Sequence, residues 1–75
     1  MNLYQSEISK RVIISKVNCQ KDLKKRLEKL GVFEGVIVSI IRKAALGGLI
    51  EIKVRGTYLA LRKVDAEKIL VEEYE

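Results

Sequence analysis

The run LIEIKV, residues 49–54, alternates apolar with charged residues, and TYLALR, residues 57–62, follows after only Arg55 and Gly56. Side chains alternate across a strand, so Ile50, Ile52 and Val54 share one face while Glu51 and Lys53 share the other. Gly56 supports a tight hairpin between the two arms. Leu59 and Leu61 then fall on one face of the second arm. Two strands alone are marginal, so this pair needs partners.

The partners are legible on both sides. VIVSIIRK (36–43) reads as a strand that is apolar on both faces, with Val36, Val38 and Ile40 on one and Ile37 and Ile41 on the other. Such a strand is expected to be covered twice, by the inside of a barrel and by a helix or a partner. RVIISKV (11–17) is rich in β-branched residues and forms the first strand, after a short lead-in. ILVEE (69–73) supplies a fifth. VDAEK (64–68), between the last two strands, makes one helical turn with Asp65 as a cap.

One helix stands among these strands. In QKDLKKRLEKL (20–30), Leu23, Leu27 and Leu30 recur at spacings of four and three and share a face. Asn18 offers an N-cap oxygen. Asp22 in the first turn and Lys29 in the last both agree with the helix dipole. Gly31 is expected to end the helix in a left-handed C′ position, with Val32 folding back toward Leu27. The expected fold is therefore mainly β: a small SH3-like or OB-like barrel of about five strands. Its helix lies between the first and second strands, and its one-turn helix precedes the last.

Seventy-five residues bound this to a single domain, 1–75, with its core at about 10–73. No proline and no repeat interrupts it. The longest apolar runs are too short to span a membrane, and MNLYQSEISK lacks the order of a signal peptide. The lone Cys19 cannot close an internal disulfide, which suits a reducing cytoplasm. Net charge is +5, unevenly placed: residues 1–32 hold eight Lys or Arg against three acids, and residues 64–75 one Lys against five acids. That asymmetry steers toward acidic partners, or else marks only a solvated surface.

Catalytic chemistry is poorly supplied. There is no histidine, so the commonest general base and metal ligand is missing. Cys19, just ahead of a basic helix, lies where a dipole would lower its pKa, but it has no visible base or oxyanion site. One thiol and the tail acids Glu72, Glu73 and Glu75 make a poor metal set, because neighbours in a strand point to opposite faces. Neither phosphate-binding glycine motif is present. Nucleic acid is a rival partner, yet the only aromatic within a confident strand is Tyr58 and the basic residues gather on a helix. The chain therefore fits at most nonspecific contact with nucleic acid.

Between the second and third strands lies AALGGL (44–49). This loop of small and apolar residues either exposes Leu46 or Leu49 to a partner or folds one of them over the barrel mouth as a plug.

The order of these features resembles the FeoA family of ferrous-iron uptake. The match runs over residues 10–73, through Leu30-Gly31-Val32, Gly35, Arg42 to Leu49, Arg55-Gly56, and Leu59-Ala60-Leu61-Arg62 with Ala66. The resemblance implies an SH3-like barrel and a non-enzymatic cytoplasmic role. It implies docking on the cytoplasmic G-protein domain of the FeoB-type membrane transporter, with contact to the membrane only through that partner. The same module closes DtxR-type iron-dependent repressors, so the alternative is a stand-alone relative acting on a regulator in trans. No cofactor is identifiable; the family association implies at most weak binding of a divalent transition metal such as Fe2+. Homo-oligomers remain open.

The loop departs from the family's A-P-x-G-D-P. Ala45 stands for the first proline, Gly48 for the aspartate and Leu49 for the second proline, while Gly47 is retained. It loses rigid φ angles and a carboxylate and becomes more apolar and mobile. The expected partner site is Leu46, Gly47, Gly48 and Leu49, with Lys24, Lys25 and Lys29 as steering charges.

Overall fold

Period-two alternation decides the sheet. In the computed structural model, which describes residues 1–74, five strands form one antiparallel sheet. They are β1 (Arg11–Val17), β2 (Ile37–Lys43), β3 (Leu49–Val54), β4 (Thr57–Arg62) and β5 (Ile69–Glu73). Their order is β4-β3-β2-β1-β5. The helix α1 (Lys21–Lys29) lies between β1 and β2, and the four-residue α2 (Lys63–Ala66) between β4 and β5. This is the expected SH3-like connectivity.

The inward residues of every strand meet in one core. Val12, Ile14 and Val17 of β1, Val38 and Ile40 of β2, Ile50, Ile52 and Val54 of β3, Leu61 of β4 and Ile69 and Val71 of β5 are all buried. Register shifts between Ile14 and Lys16 and between Ile40 and Arg42 bend β1 and β2. Such bulges sharpen twist, which lets a short sheet wrap around an aliphatic core.

The end of α1 follows its sequence signal. Gly31 has φ +96°, its N–H donates to Glu28 O at 3.1 Å, and Val32 N–H donates to Leu27 O at 2.8 Å. These are the two bonds of a Schellman closure, and they fold Val32 into the core. The start differs. Gln20 occupies the N-cap with no side-chain bond, while the Asn18 backbone N–H donates to Lys68 O at 2.8 Å. Asn18 is thus fastened to the segment before β5 and does not cap α1. Nor does Asp65 cap α2: it is the helix's third residue and accepts from Arg62 Nε at 3.0 Å.

Two apolar positions are less covered than their pattern implies. Leu30 is 45% exposed although it shares the stripe with buried Leu27, because the chain turns away at Gly31. Ile37 is 38% exposed on the outer face, opposite Ile13 of β1. The outer face of β2 is therefore covered only in part.

The lead-in is structured, which its sequence did not announce. Leu3–Gln5 form a 3-10 turn closed by a capping box: Gln5 N–H donates to Asn2 Oδ1 at 3.0 Å and Asn2 N–H to Gln5 Oε1 at 2.9 Å. The turn drives Leu3 into the core, where it is fully buried. Val71 N–H donates to Met1 O at 2.9 Å, and Asn2 forms a bridge with Leu70, so this segment lies along the outer edge of β5.

Candidate functional site: the loop between β2 and β3

The glycine pair sits in the connection from Lys43 to Leu49. Gly47 N–H donates to Ala44 O at 2.9 Å and Ala44 N–H to Leu49 O at 3.1 Å, so the loop closes on itself. Gly47 has φ +81° and Gly48 φ +89°. L side chains rarely adopt that backbone region, so both glycines are required by the turn, not Gly47 alone.

The loop is also tied to its neighbours. Gly48 O accepts the Lys63 N–H at 2.8 Å, fastening it to the start of α2. A Cβ on Gly47 would lie 3.8 Å from Tyr4 Oη, which places the lead-in turn against its other side. Backbone and neighbours thus hold the loop while its apolar side chains stay outside. Leu46 is fully exposed and Leu49 is 46% exposed. The plug reading fails for Leu46.

Charges flank this tip. The ring of Tyr4 has Lys43 Nζ at 5.0 Å and Lys63 Nζ at 5.2 Å from its centroid. An aromatic face attracts cations, so one half-buried ring holds two ammonium groups beside the glycines. On the other flank, a cavity of about 260 Å3 is lined by Arg42, Ala44, Leu49, Ile50, Glu51 and Ala60. At its rim Arg42 Nε lies 2.7 Å from Glu51 Oε1. That contact is an ion pair without the alignment of a hydrogen bond, and it leaves the buried oxygen otherwise unmatched.

The residues expected at one site do not all gather there. Leu46, Gly47, Gly48 and Leu49 form the loop at the start of β3. Lys24 lines a different hollow, with Val17, Glu28, Phe33 and Glu34. The end of α1 that carries Lys29 abuts the far end of β3, since a Cβ on Gly31 would meet Val54 Cγ2 at 3.7 Å. Six residues of strand separate those two ends, roughly 17–20 Å. Lys25 is exposed on the same helix. The cations adjoining the loop are Lys43 and Lys63 on one flank and Arg42, paired with Glu51, on the other, which the helix-centred reading passed over. Their signal was present in the sequence, as Lys43 immediately precedes AALGG, but the contribution of Tyr4 needed the fold.

Cys19 differs from expectation in direction. Burial pushes its thiol pKa up, Asp65 adds to the rise and Lys68 only partly opposes it. Sγ lies 3.7 Å from Asp65 O. The dipole of α1 therefore does not prevail. Because the folded thiol is the weaker acid, the fold favours the protonated form, a contribution present below the unfolded pKa and lost as pH rises through the folded one. Alkylation of Cys19 by iodoacetamide is expected to show a midpoint above that of an unstructured cysteine peptide, measured as rate against pH. A midpoint below the peptide's would reverse this assignment.

Among the described residues, no group of three or more Cys, His, Asp or Glu side chains stands close enough to hold a metal ion. Glu72 pairs opposite Ile13 and Glu73 opposite Val12, on opposite faces of β1, and Glu75 lies outside the described residues. Among the described residues, then, no set of three donors converges to hold a transition metal. No described helix is long and apolar enough to cross a membrane.

Fold and loop together define a class: a small SH3-like barrel that presents a braced apolar tip between basic flanks. Comparison with known proteins makes this specific. The FeoA domain family matches residues 1–73, and the chain belongs to that family. A Fe(2+) transport protein A of Helicobacter pylori strain J99 is 30% identical over 61 residues, which span 81% of this chain and 78% of that protein. The solution structure of FeoA from Chlorobium tepidum superposes with a TM-score of 0.95 at 29% identity, covering 100% of this chain and 71% of that one. FeoA of Stenotrophomonas maltophilia, crystallised with zinc and described as a prokaryotic SH3 domain protein, gives a TM-score of 0.80 at 25% identity, covering 96% and 89%.

Proposed function

We propose that this protein is a cytoplasmic, non-enzymatic accessory of ferrous-iron uptake that docks on the cytoplasmic G-protein domain of a FeoB-type transporter and modulates it. Family membership supports the pathway. The observation that carries the docking surface is Leu46, fully exposed on a loop whose backbone is held at Gly47 and Gly48. A free apolar side chain on a pre-ordered backbone loses little entropy on binding, which is the property of an anchor. Lys43 and Lys63 add a positive rim that orients an acidic surface. Lys24, Lys25 and Lys29, standing apart, act through the long-range field on the rate of encounter.

Leu46→Asp tests the anchor. Nothing in the core touches this side chain, so the fold is expected to keep its melting temperature. Affinity for the transporter domain is expected to fall about 10-fold or more in titration calorimetry, the usual scale for losing an interface anchor. Unchanged affinity would exclude the loop as the contact surface. Replacing Lys24, Lys25 and Lys29 together by glutamate is expected to slow association while leaving dissociation nearly unchanged, with the difference shrinking as salt is raised.

A further inference from the structure

The sheet has two outer edges, and they are treated differently. Along β5, Met1 O accepts from Val71 and Asn2 bridges Leu70, so part of that edge is already occupied. Along β4 no such segment lies. The two-residue connection Arg55–Gly56 sets Val54 opposite Thr57, Ile52 opposite Leu59 and Ile50 opposite Leu61. In a two-residue hairpin the closing pair exchanges both backbone bonds, and bonding then alternates. Thr57, Leu59 and Leu61 therefore face β3, and the N–H groups of Tyr58, Ala60 and Arg62 face away from the sheet. Among the described residues no turn or loop bond reaches Tyr58 or Ala60. The helix α1 does not close the gap: a cavity of about 280 Å3 remains between Leu23, Arg26 and Leu30 on one side and Ala60 to Arg62 on the other.

From this edge we infer that β4 pairs antiparallel with β4 of a second copy of this chain, about a two-fold axis through Ala60. The register follows from the residues. Centring on Ala60 sets Ala60 against Ala60 of the partner copy as a bonded pair on the two-fold axis, where a small side chain leaves the strands free to approach. It sets Leu59 against Leu61 on the inner face. On the outer face it sets the Tyr58 ring against the Arg62 guanidinium, at both ends by symmetry. Tyr58 is exposed, with Lys53 Nζ 5.4 Å from its ring centroid, and the Arg62 side chain is 72% exposed; Asp65 holds Arg62 through Nε, which leaves the two terminal guanidinium nitrogens to meet the partner copy's ring. Directly opposed residues share a face, so a one-residue slip would set outward Tyr58 against inward Leu61, or inward Leu59 against outward Arg62. Because the β5 edge is partly filled, head-to-tail pairing of β4 with β5 is disfavoured, and the contact closes as a dimer. Three opposed pairs make a small junction, which places the dimer in the weak class.

Sedimentation equilibrium of the full chain up to millimolar concentration tests this, together with two variants. The natural chain is expected to form a reversible dimer. Ala60→Pro removes an N–H that β3 does not use, and is expected to weaken the dimer at least about 10-fold with the fold retained. On a Cys19→Ser background, Ala60→Cys is expected to form a covalent dimer when oxidised glutathione is added as the two-electron acceptor, because opposed residues of a bonded pair lie about 5.5 Å apart at Cα, within disulfide reach. Tyr58→Cys, four register positions from its own copy, is expected to stay monomeric. If Ala60→Pro does not fold, the cysteine pair still decides. A chain that remains monomeric at millimolar concentration overturns the inference, as does equal cross-linking at positions 58 and 60. An edge that instead accepts an extended segment of another protein would give the monomer result.

Discussion

Leu3→Ala is expected to remove about 2–4 kcal/mol of stability, the range for truncating a fully buried leucine. Leu3 has no exposed surface and belongs to the same core as the strands. A chain of this length has a total stability of roughly 4–11 kcal/mol. The loss would therefore be a large fraction of the whole, and it should lower the melting temperature by roughly 10–25 °C. Calorimetry or urea titration of the variant checks it. A loss below about 1 kcal/mol would mean that the lead-in turn detaches readily and the core is complete without it. Asn2→Ala breaks the capping box but leaves Leu3 in place, so its smaller effect separates turn formation from burial.

The second large effect concerns the glycine pair. Gly48→Asp restores the acid that the family loop carries, at a residue whose φ is +89°. Nothing lies within 4 Å of a Cβ there, so the obstacle is the backbone alone. Holding a non-glycine residue in such a region costs on the order of 1–3 kcal/mol. The variant is thus expected to be less stable by about that amount, and to weaken the tie between Gly48 O and Lys63. Denaturant titration measures it. Unchanged stability would mean that the loop relaxes to a proline-loop geometry at no cost, and that the loss of the acid is a matter of chemistry alone.

These two cases also show where sequence reasoning reached and where it stopped. Alternation in LIEIKV and TYLALR settled which side chains turn inward, because a strand offers only two faces. The stripe Leu23, Leu27 and the stop at Gly31 settled α1 for the same kind of reason: local geometry repeats at a fixed period. Asn18 and Asp65 carried equally familiar local signals, and both were overruled. At Asn18 the backbone bond to Lys68 crosses from the β1–α1 connection to the start of β5, a contact no local pattern encodes. Leu3 was hidden because one apolar residue in a short polar lead-in has no period to reveal it.

The candidate site divides in the same way. The loop's position and its apolar character were legible in AALGGL, as was its departure from the family's acid and prolines. Its flanking charges were sought on the helix, where lysines are dense, yet the helix end that carries Lys29 runs into Gly31, which abuts the far end of β3. Density along the chain is not proximity in space. Lys43 and Lys63 are 20 positions apart in sequence and meet over one ring that comes from residue 4.

By itself the sequence determined the strands, the helix, the direction of the core-facing side chains and the family, since each depends on spacing within a few residues or on an ordered string of motifs. Only the tertiary structure decided that the lead-in completes the core, that both glycines are conformationally required, and that Leu46 stands free of the barrel. It alone left one edge of the sheet open. Those outcomes depend on long-range closure, where a backbone group or a side chain finds its partner in a distant segment, and no local period carries that information.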